Sequence, residues 1–271
     1  MIGRRRSVRP YPVRGRSAGK MRLLMALVMV IIAVVSYCGS KQYNPITDED
    51  QYLSITENQE IALGLQAAPQ MIQQYGGLYP EQALQDRVDQ IGFHIVENSA
   101  ARDTPWQYEF HVLNDPETIN AFALPGGQIF ITTALLNQLE TEGQLAGILG
   151  HEIGHVVARH SAQRIAQSEL TQGLIGAVAV GASDVTDPRV AAQVASMIGN
   201  LVNMKFGRGD ELQSDELGVL FMSQAGYDPR SMIGVMEILA QAGGGGPPEF
   251  FNTHPNPDNR ILRIQEAIQE V

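Results

Sequence analysis

The chain has one cysteine, Cys38, in 271 residues. No intramolecular disulfide can form, and a zinc site built on four thiolates is excluded. Acids are missing before Asp48, whereas eight of the 19 Lys and Arg residues fall before residue 23. The remainder carries eleven bases against 29 acids. A body that acidic argues against nucleic-acid binding and against broad contact with anionic lipid. Internal repeats are lacking, and apolar runs are short. Leu23 to Val35 is thirteen residues, where a membrane span needs about 20. Leu174 to Val180 and Val190 to Val202 are also too short and read as small-residue core helices.

What is present begins with a leader. Arg4, Arg5, Arg6, Arg9, Arg14, Arg16, Lys20 and Arg22 precede the apolar run, which is followed by Ser36-Tyr37-Cys38-Gly39. This is the basic and hydrophobic plan of a secretory signal, with Met1 or Met21 as its start. Cys38, directly after the run, resembles the lipidated cysteine of a bacterial lipoprotein, although Tyr37 stands where a small residue is usual. An uncleaved anchor and ordinary cleavage are the other outcomes. All three place the body beyond the membrane, and the lipoprotein pattern implies a periplasmic protein attached to the outer membrane. The chain thus divides into a leader at 1–38, a tether at 39–52 and one large domain at 53–271.

The domain reads as α+β, mainly α. Ser54-Ile55-Thr56-Glu57 predicts a capping box opening a helix that stops at Gly76-Gly77. A second helix from near Pro80 carries Leu84, Val88, Ile91 and Ile95 at helical spacing, with His94 on its solvated face. Tyr108, Phe110 and Val112 alternate as in a half-buried strand that turns His111 to its polar side. Asn120 to Leu124 and Gln128 to Ile131 flank Pro125-Gly126-Gly127, which predicts a small antiparallel sheet with a sharp corner. Gln128, Ile129, Phe130 and Ile131 are a candidate edge strand for pairing with an extended substrate.

The chemistry concentrates in Gly150-His151-Glu152-Ile153-Gly154-His155. Residues four apart lie on one helix face, so His151 and His155 can aim two imidazoles at one ion. Glu152 stands beside that ion, where a general base would take a proton from the attacking water. Thr141-Glu142-Gly143-Gln144 predicts the cap of this helix. His160 extrapolates to the far side, as a structural or surface histidine. A catalytic zinc needs a third protein ligand. Asp210, Glu211, Asp215 and Glu216 offer four acids downstream, and helix geometry alone does not choose Glu211 over Glu216.

Three segments resemble the zinc metallopeptidases that include the CAAX prenyl protease, HtpX, BepA and the Oma-type proteases, most of all the exported BepA-like branch. They are Asn120 to Ile131, His151 to His160 and Phe206 to Gly218. The resemblance implies a zincin-like domain with one Zn2+ held by His151, His155 and Glu211. It makes Asp215 an accessory acid, orienting a ligand or donating a proton. Ser214 and Gly207 depart from the usual Ala and Ser without touching a ligand. Thr253-His254-Pro255 also matches. His254 then reads as a fourth, displaceable ligand or oxyanion stabiliser, or as a loop histidine capping a helix from Pro257. Gly243 to Gly246 forms a loop placed to gate access.

The expected reaction is zinc-dependent hydrolysis of peptide bonds in unfolded or misassembled envelope proteins. The alternative is a chaperone-like assembly or binding factor at the outer membrane with latent proteolysis. Polypeptides and, through the N-terminal anchor, a membrane are the expected partners.

Overall fold

The computed structural model describes residues 16–182, 205–242, 248–256 and 259–271, and the chain divides into two units. The first comprises 1–39 and 168–188. Its helix α1 (Arg16–Gly39) includes a stretch, Gly19–Gly39, of 21 residues, long and apolar enough to cross a membrane. Beyond Leu23–Val35 this stretch takes in Lys20 and Arg22 at one end and Ser36, Tyr37, Cys38 and Gly39 at the other, so it reaches spanning length with two basic residues inside it. A signal sequence meets the same test.

The second unit comprises 40–167 and 189–271. It opens on an antiparallel hairpin of β1 (Lys41–Asn44) and β2 (Glu49–Tyr52), where the sequence suggested a tether. Asn44 Nδ2 donates to the Val157 carbonyl and Gln51 Nε2 to the Ala158 carbonyl, each at 2.8 Å. Those carbonyls end the active-site helix α5 (Glu142–Val157), where the last turn has no helical donors of its own. The hairpin looks like a linker in sequence because amides, not apolar side chains, hold it.

Helix α2 (Glu57–Gln74) follows, capped by Thr56 and Gln59 rather than by the Ser54–Glu57 box. Helix α3 (Gln82–Glu97) buries Val88, Ile91 and Ile95. The sheet orders β3 (Glu109–Leu113), β5 (Gln128–Thr132) and β4 (Ala121–Ala123), with β5 in the middle. β5 is antiparallel to β4 but parallel to β3, so the sheet is mixed rather than antiparallel. The connection after β3 carries the chain two strand widths away, about 10 Å, and β5 returns into the gap. Accordingly, every residue of β5 is buried. The reading of Gln128, Ile129, Phe130 and Ile131 as an edge strand is therefore overturned. The consecutive apolar residues Ile129, Phe130 and Ile131 suit a central strand, and β4 is an edge. Gly126 and Gly127 make the corner with φ of 80° and 112°, a region costly for residues with a Cβ.

Helix α4 (Thr133–Leu136) leads to α5, whose cap is the Thr141–Gln144 box. Then come α6 (His160–Ala182), α7 (Arg208–Gln224), α8 (Ser231–Gln241), α9 (Phe250–Thr253) and α10 (Arg260–Glu270). Leu174 to Val180 is the end of α6, not a separate helix. Val190 to Val202 and the Gly243–Gly246 loop lie outside the described residues. One apolar cluster joins α3, the sheet, α5, α7 and α8 through residues including Ile95, Phe110, Ile131, Ile148, Phe221 and Val235.

Candidate metal centre

Two glycines bring α7 against α5. A Cβ on Gly154 would stand 2.9 Å from the Ser214 carbonyl oxygen, and one on Gly150 would stand 3.3 Å from that of Gly218. Only this close packing lets a carboxylate on α7 reach imidazoles on α5. Glu211 is fully buried beside the His pair, whereas Glu216 turns outward to Arg263 at 2.7 Å. The choice between those two acids is thus made by which face of α7 meets Gly154.

His151 Nε2 lies 3.1 Å from His155 Nε2. Glu211 Oε1 is 3.4 Å from His155 Nε2, and Glu211 Oε2 is 3.6 Å from His151 Nε2. His254, arriving just after α9, places Nδ1 at 3.4 Å from His151 Nε2 and 3.2 Å from Glu211 Oε1. Donors bound at about 2.0–2.1 Å in a tetrahedron stand about 3.3–3.4 Å apart. The observed separations scatter about that edge length. Moreover, Glu211 Oε2 has no hydrogen-bond partner among the described residues, although the Arg260 guanidinium lies beside it, so this oxygen is free to bind a metal cation as well. The donor set of two to three imidazoles and one carboxylate suits zinc.

Further groups hold these donors. Asp215 Oδ1 is 2.8 Å from His151 Nδ1. Arg260 grips Asp215 with Nε at 2.6 Å and Nη2 at 2.9 Å, and its Nη1 lies 3.2 Å from Glu211 Oε2. Phe206 stacks on His155 with ring centroids 4.0 Å apart, and Phe250 stacks on His254 at 4.4 Å. Burial alone would raise the Asp215 carboxyl, but the charge of Arg260 and the bond to His151 hold it below the usual range. Glu211 is likewise opposed by burial, yet His254 and His155 keep it well below. For Glu152 burial outweighs the charges of His254 and His151 and pushes the carboxyl up, and among the described residues neither of its oxygens has a hydrogen-bond partner. His254 Nε2 lies 3.7 Å from Glu152 Oε1.

The other histidines keep part of their sequence reading. His160 takes the structural alternative rather than the surface one: it is buried, with Nδ1 2.9 Å from His155 Nδ1. Only its placement on the far side fails, because α5 ends at Val157 and Arg159 takes φ of 55°, which redirects the chain. His94 is exposed as expected, with Nε2 3.0 Å from the Ala225 carbonyl. His111 rests on Phe130 and contacts Gln128 Oε1 at 2.9 Å. Arg260 carried no sequence signal beyond its place after Thr253-His254-Pro255.

Comparison with known proteins agrees with this centre. Peptidase family M48 matches residues 82–268. The mitochondrial metalloendopeptidase OMA1 of Schizosaccharomyces pombe is 31% identical over 244 residues, 87% of this chain and 69% of that protein. The beta-barrel assembly-enhancing protease of Yersinia pestis is 29% identical over 215 residues, 77% of this chain and 43% of that protein. Its Escherichia coli K12 counterpart is 29% identical over 191 residues, 68% of this chain and 39% of that protein. The chain therefore spans less than half the length of the two assembly-enhancing proteases. With the family match covering most of the domain, and a buried His-His-Glu-His cluster that fits one zinc ion, this chain belongs to peptidase family M48 and is a metalloendopeptidase.

Proposed function

We propose that the protein is an exported endopeptidase that cleaves extended segments of unfolded or misassembled envelope polypeptides. The observation that carries the reading is the convergence of His151, His155 and Glu211 beside Glu152, whose carboxylate has no hydrogen-bond partner among the described residues. These three residues would hold the zinc, which when bound supplies Lewis acidity that lets water ionise near neutral pH and polarises the scissile carbonyl. Glu152 accepts the proton of the attacking water and passes it to the leaving amine nitrogen. Asp215 fixes the ring of His151 through Nδ1, and Arg260 keeps Asp215 ionised to do so.

The substrate segment pairs with β4. The Asn120 carbonyl accepts from Thr132 N–H, and Leu124 N–H donates to the Gln128 carbonyl. Alternation along the strand then turns the N–H and C=O groups of Ala121 and Ala123 away from β5. An extended peptide added there lies against the cleft lined by Phe206 and Thr253.

That cleft has a volume of only ≈ 30 Å³, room for about one water. His254 stands at the fourth corner of the donor cluster, and catalytic zinc sites keep that corner open. Both observations support a latent enzyme, in which the segment carrying His254 withdraws to admit substrate. They also favour the second reading, an assembly or binding factor with occasional proteolysis, which agrees with the names of the assembly-enhancing relatives.

Glu152→Gln separates the two. The variant should retain stoichiometric zinc and lose casein hydrolysis, whereas Glu211→Gln should lose both. A Glu152→Gln protein that still cleaves would sink the catalytic assignment. A cellular phenotype that survives Glu152→Gln makes binding the primary role.

A further inference from the structure

The two histidines of α5 are held from behind by different means. Metal-binding histidines usually give their second N–H to a carboxylate, a backbone carbonyl or water. His151 conforms, with Asp215 at its Nδ1. His155 does not: its Nδ1 meets another imidazole, that of His160, at 2.9 Å. Two imidazole nitrogens bond only if one carries the proton and the other does not, so something must set the order.

The order can be traced inward from the surface. Gln213 Nε2 donates to Glu49 Oε2 at 2.7 Å. An ionised carboxylate only accepts, so the amide of Gln213 is committed there and its Oε1 faces inward, 2.9 Å from His160 Nε2. A carbonyl oxygen also only accepts, so His160 carries its proton on Nε2 and presents a lone pair at Nδ1. Toward that lone pair come His155 Nδ1 and, at 3.3 Å, the hydroxyl of Ser214. His155 therefore donates from Nδ1, which leaves the lone pair on Nε2, the atom that faces His151 and Glu211. The reverse order would put a proton on Nε2 and block ligation. Stacking on Phe206 fixes the plane of the ring but cannot choose its tautomer.

We propose that Glu49, Gln213 and His160 form a positioning relay that sets the tautomer of His155 from the β1–β2 hairpin, itself pinned to the end of α5 by Asn44 and Gln51. The relay rests on the reading of His155 as a zinc ligand. It gives the hairpin a task in the metal centre and makes His160 a positioning residue rather than a passive core histidine.

The test is zinc affinity of the full chain in detergent, measured by competition with a chromogenic chelator, with circular dichroism to verify folding. His160→Leu removes the acceptor and should weaken zinc by about 10–100-fold. His160→Asn places Oδ1 where Nδ1 stood and should bind close to wild type. Glu49→Ala should weaken zinc by a smaller factor, because its site is exposed. Nitrogen-15 spectra of the zinc-loaded wild type should show His160 protonated at Nε2, a readout independent of any variant's folding. A His160 protonated at Nδ1, or Leu and Asn variants of equal affinity, would overturn the relay alone. Wild-type protein that takes up no zinc would overturn both the relay and the ligand assignment beneath it.

Discussion

Arg260 is the largest fully buried side chain among the described residues, and its guanidinium faces two carboxylates, Asp215 and Glu211. Removing one partner of such a pair leaves a buried charge uncompensated, at about 3–5 kcal/mol. Arg260→Leu should therefore lower the chemical denaturation free energy by about that much, and it should loosen zinc as well. The acid side of the stability profile follows from Asp215. Its carboxyl is held below the ordinary 3.8 in the fold, so the unfolded chain takes up the proton first as pH falls. The stability Asp215 lends is complete above about pH 4 and disappears as pH drops through its lower folded value. Asp215→Asn should flatten that acid slope in urea midpoints measured from pH 5 to 2.5; an unchanged slope would place the titration elsewhere. At this scale the sequence was informative where spacing alone settles geometry, as for His151, Glu152 and His155. It was silent on Arg260, which reaches the centre from 45 residues beyond Asp215.

Among the elements, α5 was legible because cap, apolar positions and histidine spacing all agree within one local segment. The sheet was only half legible. Alternation identified strands, but their order depends on where the chain returns, and that placed β5 inside and β4 at the edge. Two predictions follow from these elements. Replacing Asn44 and Gln51 together by Leu strips the Val157 carbonyl at the end of α5 of its amide donor and leaves the Ala158 carbonyl with Gln163 Nε2 alone. An unmet buried acceptor costs about 1–3 kcal/mol, so the melting temperature should fall and hydrogen exchange at the end of α5 should quicken. Ala123→Pro deletes an outward N–H of the β4 edge without breaking a bond to β5, as edge strands tolerate. It should raise KM for extended peptides while leaving zinc content unchanged. An unaltered KM would remove β4 from substrate binding.

For the whole molecule, the metal centre draws its donors from α5, α7 and the segment after α9. An ion bound across separate segments stabilises only the folded chain. Zinc at 100 times its dissociation constant adds about 2.7 kcal/mol, so a chelator should lower the melting temperature and free zinc should restore it. The N-terminal unit is tested by fractionation. Cys38 is exposed at the end of α1; if it is lipidated in the cell, Cys38→Ser should change the membrane fraction or the migration of the mature protein. An unchanged distribution would identify α1 itself as the anchor.

The sequence by itself determined the reaction class, the His-Glu-x-x-His helix and the apolar N-terminal helix, because each is written in neighbouring residues whose spacing a helix converts directly into geometry. Tertiary structure alone decided which acid completes the centre, which strand lies at the edge, and that His160 and the polar hairpin stand behind His155. Those outcomes depend on how closely α7 can approach Gly150 and Gly154 and on a left-handed turn at Arg159. Packing distances between distant segments are not encoded in any local period, and they set where buried charges can find partners.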